Sequence, residues 1–89
     1  MMSIFAETVS CIRDELLEMY PEMRITDWTT RINSVSFVAY PKEDRGVRFG
    51  YDYGMMRWYV MYPGDVCLFT ESKSAETRFY EIVKLELSN

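Results

Sequence analysis

Histidine does not occur in this chain, and cysteine, proline and glycine are scarce, at two, three and four residues among 89. The missing imidazole removes the usual general base near neutral pH and the commonest zinc ligand together. No Ser-His or Cys-His nucleophile pair can be assembled. Neither a phosphate-binding P-loop nor a dinucleotide fingerprint is present. Cys11 and Cys67 stand far apart with no Cys-x-x-Cys, so both thiols are expected to be reduced.

Two further shortages narrow the setting. No apolar run approaches the roughly 18–20 residues of a membrane span. Met1-Met2-Ser3-Ile4-Phe5-Ala6-Glu7 meets an acid before any basic stretch, which does not fit a secretory signal. A cytoplasmic chain without membrane contact is the expectation, in the host cytoplasm if the chain is viral. Positive charge is also in deficit: 14 acidic against 10 basic residues leave a net charge of −4. General binding to nucleic acid or to anionic lipid needs the opposite balance.

What the chain does have is core material. Apolar residues make up 48% and aromatic residues 16% of the 89. That length suits one domain over residues 1–89, and the aromatic content excludes a disordered chain.

Phe5, Val9, Ile12, Leu16 and Met19 recur at spacings of four and three, which predicts a helix over residues 3–20 with these side chains on its buried face. Ser3 suits the N-cap and Pro21 ends the helix. The opposite face gathers Glu7, Cys11, Asp14 and Glu18, flanked by Glu15, into an acidic stripe. Alternation then predicts strands. Met23, Ile25 and Trp28 mark an irregular one, and Val35, Phe37 and Ala39 a second. Residues 41–46 read as a turn. Val47, Phe49, Tyr51 and Tyr53 alternate along a third strand, with Gly54 closing a hairpin into a fourth over residues 55–62. Pro63-Gly64 predicts a type II turn, and residues 66–70 a short fifth strand. Ser74 suits the cap of a last helix with Ala75, Phe79, Ile82 and Val83 on one face, running to about residue 86 although residues 83–87 also alternate. The expected fold class is α+β: an antiparallel sheet of four to five strands flanked by an N-terminal and a C-terminal helix in a two-layer sandwich.

Three groups carry candidate chemistry. Cys11 sits among carboxylates, which oppose thiolate formation, and Cys67 falls in an apolar strand; structural roles are expected for both. Asp14-Glu15-Glu18 and Glu43-Asp44 pair carboxylates, but on a helix face and in a turn where charges are ordinarily solvated, and no calcium-loop pattern is present. The stretch from Arg45 to Tyr59 interleaves arginines with aromatics, as a single-stranded nucleic-acid platform does. Within it Arg48-Phe49-Gly50-Tyr51 resembles part of the RNP1 motif of RRM domains, although the order of elements is not that family's. Residues 31–62 carry only five basic against three acidic side chains. One aromatic set, Phe49/Tyr51 or Trp58/Tyr62, is also expected to be core.

The function expected is therefore non-catalytic: a module that binds a protein and occludes a site on it, that protein being one that handles nucleic acid. The absences above imply no enzyme activity, no cofactor and no metal. In size and acidity the chain resembles the small inhibitors that phages encode against host defence, anti-CRISPR proteins among them. The expected partner contacts are Glu7, Asp14, Glu15 and Glu18 on the helix, with Arg48, Tyr51, Tyr53 and Arg57 on the hairpin. The alternative is a single-stranded RNA or DNA binder using the hairpin at 45–59. An uncapped edge strand beside aromatic surface also leaves room for a homodimer.

Overall fold

The computed structural model describes residues 3–30 and 33–88, with the backbone alone at 27–30. Helix α1 spans Ile4–Met19. Five strands follow, β1 Arg24–Thr30, β2 Ser34–Lys42, β3 Arg45–Asp52, β4 Arg57–Tyr62 and β5 Asp65–Phe69, and helix α2 spans Ser72–Ser88. Each strand pairs antiparallel with the next, so the order across the sheet is β1-β2-β3-β4-β5. This is the α+β sandwich expected, with five strands, the upper of the two numbers.

Both helices cover one face. Val9, Ile12 and Leu16 of α1 and Ala75, Phe79, Ile82 and Val83 of α2 share a single core with Val35, Phe37, Ala39, Val47, Phe49, Tyr51, Trp58 and Val60 of the sheet. Phe79 meets Phe37 and Phe49 at ring-centroid distances of 5.5 and 5.4 Å. Full burial of each such ring stabilises the fold by about 1.5–3 kcal/mol.

The helix ends follow local chemistry. Ser3 Oγ accepts the Ala6 N–H at 3.1 Å, the cap expected. Tyr20, just before Pro21, caps the other end by donating its N–H to the Leu16 carbonyl. Met19, expected in the core, is 48% exposed. The helix stops there, and Met23 enters the core after the turn instead. Helix α2 starts at Ser72, ahead of the expected Ser74 cap, and holds residues 83–87 in helix.

Two of the hairpins, β2–β3 and β3–β4, differ from expectation in their turns. Pro41 lies inside β2, where a register irregularity between Ala39 and Lys42 accommodates a residue with no N–H to donate. The turn there is confined to Glu43-Asp44. At the β3–β4 turn Gly54 is not the residue with positive φ; Met56 is, at 54°. Asp52 Oδ1 accepts the Met55 N–H at 2.8 Å and shapes a four-residue loop that pairs Asp52 with Arg57. Gly64 has φ 93°, as a type II turn after Pro63 requires. β1 is irregular as expected, with a register shift between Thr26 and Thr29. The side chain of Trp28 lies outside the described residues.

Candidate protein-binding surface

Among the described residues no helix lies on the second face of the sheet, and strand register assigns the residues of that face. One row across it runs Thr26, Val38, Arg48, Met61 and Val66, and the next runs Ser36, Gly50, Tyr59 and Leu68. Met61, Val66 and Leu68 are 44%, 48% and 50% exposed and stand side by side on β4 and β5. They form an apolar strip next to a structured floor.

That floor is made by small residues under large ones. A Cβ on Gly50 would lie 2.5 Å from Ser36 Cβ and 3.0 Å from the Tyr59 hydroxyl, so the tyrosine lies down over the glycine. A Cβ on Gly46 would meet Val38 at 2.8 Å and the Tyr40 ring at 3.0 Å. Tyr59 and Val38 are therefore buried on a face that no helix covers. Arg48 lies between them, half-buried, and donates from Nη1 to the Ser36 hydroxyl at 2.7 Å. Arg24 stacks its guanidinium 3.9 Å from the Tyr40 ring centre. Such stacking holds a cation without removing it from water.

The expected contact residues do not fall on one surface. Glu7, Asp14, Glu15 and Glu18 are exposed on the outward side of α1, on the far side of the molecule from this strip. Asp14 pairs with Arg13 at 3.2 Å, and Glu15 accepts from the Tyr80 hydroxyl at 3.3 Å. Arg48 belongs to the helix-free face, and Arg57 is exposed at its rim, donating to the Met56 carbonyl at 3.0 Å. Tyr53, half-buried, hydrogen-bonds Ser3 at 2.9 Å. Tyr51 is in the core: its ring stacks on Phe5 at 3.9 Å and lies 5.0 Å from Trp58. The expectation that either Phe49/Tyr51 or Trp58/Tyr62 would be core also needs correction. The four-residue loop sets Tyr51 opposite Trp58, so all four side chains point to the helix side. Arg48 and the rings that alternate with it in sequence are thus on opposite faces.

Sequence reasoning missed Met61, Val66 and Leu68 as surface. The signal was available, because Ser36, Gly46 and Gly50 fall on one side of the alternation and mark the face without a large-residue core. Cys11 and Cys67 are both free. Cys11 is exposed on α1, whereas Cys67 is half-buried on the helix side of β5 rather than in the core.

Two tyrosines titrate high. Burial raises the Tyr80 hydroxyl well above its ordinary value, and the Glu15 carboxylate adds to this. At Tyr62 the hydrogen bond from Arg78 lowers the value, but burial and the Asp65 carboxylate outweigh it and the net direction is upward. Neither group is poised to act as a base near neutral pH. No cluster of three or more His, Cys, Asp or Glu side chains able to hold a metal ion occurs among the described residues. No helix among them is long and apolar enough to cross a membrane. Compared with known proteins, the chain matches no family model, no curated protein and no solved structure.

Proposed function

We propose that this chain is a non-catalytic protein-binding module that occludes a site on a larger protein through the helix-free face of its sheet. The observation that carries the reading is the strip of Met61, Val66 and Leu68, exposed beside Arg48 and the flat Tyr59 ring. Methionine, aromatic residues and arginine are the side chains that protein interfaces concentrate. A floor fixed by glycine–aromatic packing also loses little conformational freedom on docking. Inhibition by blocking, as small phage-encoded inhibitors act, needs such a surface and no reaction chemistry.

The acidic side of α1 lies on the opposite side of the molecule, so a single flat site engages one surface or the other. The sheet face is favoured because carboxylates on an exposed helix contribute little binding energy unless they are desolvated. The test is capture of partners from a host lysate by the tagged chain, by Met61→Glu, and by a chain with Glu7, Glu15 and Glu18 reversed to Lys. Loss of the captured protein with Met61→Glu alone is expected. Retention with Met61→Glu and loss with the reversed helix would transfer the reading to phosphate mimicry by α1. Oligonucleotide binding that weakens steeply with salt would replace both by the single-strand reading.

A further inference from the structure

We infer that β5 pairs with β5 of a second copy of this chain, joining two five-stranded sheets into one of ten strands about a two-fold axis through Cys67. The sheet has two edges, and they are unequal. β1 is broken by the register shift between Thr26 and Thr29. β5 is short but regular through all five of its pairings with β4; it contains no Pro or Lys and no bulge, and its one charged side chain, Asp65, stands at its first position.

The hydrogen-bond phase of β5 follows from its turn. A two-residue loop at Pro63-Gly64 makes Tyr62 and Asp65 the closing hydrogen-bonded pair. Alternation then aims the N–H and C=O groups of Val66 and Leu68 out of the sheet. Consistent with this, the Val66 N–H reaches the carboxylate of Asp65 at 2.8 Å rather than a strand. An antiparallel second β5 centred on Cys67 sets Val66 against Leu68 of the partner copy, and Leu68 against Val66. Both pairings are hydrogen-bonded and apolar on the open face. Asp65 meets Phe69 rather than another acid. The pattern is self-complementary in hydrogen bonding and in side-chain pairing. It also doubles the strip of Met61, Val66 and Leu68 on one continuous face, although the pairing does not depend on what that face binds.

The Asp65 carboxylate competes for the Val66 N–H and weakens association, so Asp65→Ala should strengthen it. Cys67 pairs with itself at a non-hydrogen-bonded position, where Cα atoms lie about 4.5 Å apart, within disulfide reach. Copper-phenanthroline then serves as a trap, each thiol giving up one proton and one electron to the oxidant as the S–S bond forms. Sedimentation of the full chain should show twice the monomer mass at high concentration, lost in Leu68→Lys. The covalent dimer should form in wild type and Cys11→Ser and disappear in Cys67→Ser. A monomer at every concentration reached, a cross-link that needs Cys11, or a doubled mass unaffected by Leu68→Lys would overturn the inference. A circular dichroism spectrum identical to wild type confirms that the lysine variant folds. Because no partner protein is present, failure here leaves the capture experiment unaffected.

Discussion

The two faces of this sheet are built from the same strands by opposite means. On the covered face large side chains, Phe37, Phe49, Trp58 and Val60, are buried because two helices lie over them. On the open face Tyr59 and Val38 are buried with no helix above, because Gly50 and Gly46 leave room for rings to lie flat against the backbone. Burial on the first face is tertiary and on the second is local to neighbouring strands. A domain of 89 residues thereby keeps one face available without leaving its backbone hydrogen bonds open to water.

Phe49→Ala probes the covered face and should have the largest effect. Phe49 lies between Phe37, Trp58 and Phe79 at 6.1, 5.9 and 5.4 Å. Removing the ring should cost about 3–5 kcal/mol, a large share of the roughly 5–15 kcal/mol that holds a domain together. Urea unfolding followed by tryptophan fluorescence measures it. A loss no larger than that of an open-face truncation would mean that the two faces are held with equal strength.

Gly50→Ala probes the open face. The new methyl would lie 2.6 Å from the Val35 carbonyl as well as against Ser36, and backbone cannot step aside as a flexible side chain can. The expected cost is about 1–3 kcal/mol. At Gly54 the nearest atom to an added Cβ is Asp52 Oδ1 at 3.2 Å, so Gly54→Ala should be close to neutral. Equal midpoints for the two alanine variants in denaturant would show that the Tyr59–Gly50 packing is unimportant.

Ser36→Ala should follow, at about 1 kcal/mol. Ser36 is buried, and its hydroxyl accepts the short bond from Arg48. Half-buried Arg48 can regain water when that acceptor is removed, which limits the loss. Thermal unfolding detects the change, and a stabilised variant would contradict a positioning role for the bond.

The helical half of the fold was legible in the sequence because spacings of three and four admit one buried face. Val9, Ile12 and Leu16, and later Ala75, Phe79, Ile82 and Val83, are all in the core. The sheet was harder to orient, since alternation separates two faces without saying which one the helices take. Tyr40 and Tyr59 are as apolar in composition as Tyr51 and Trp58. Only the length of the loop at residues 53–56, set by the Asp52 side chain, put Tyr51 and Trp58 on the same side. The candidate contacts scattered for this reason: residues adjacent in sequence on a strand belong to opposite faces.

The smallest effect, absent near neutrality, concerns the seam between the helices. Tyr80 of α2 donates to Glu15 of α1, and burial beside that carboxylate raises its titration above the ordinary value of about 10. Above that pH the unfolded chain has released a proton that the folded chain still binds. Stability therefore falls as pH rises, and the contribution of the site is intact below the unfolded value. Tyr80→Phe should match wild type within roughly 0.5 kcal/mol near pH 7, then lose less stability as pH rises above about 10. Tyr62 also titrates high, so Tyr62→Phe should remove a further share of the alkaline loss, and the double variant more than either. Urea midpoints across that rise in pH, with tyrosinate absorbance as a second probe, measure the slopes. Parallel slopes for wild type and Tyr80→Phe would mean that the hydroxyl is solvated in the folded chain and that the two helices are joined by apolar packing alone.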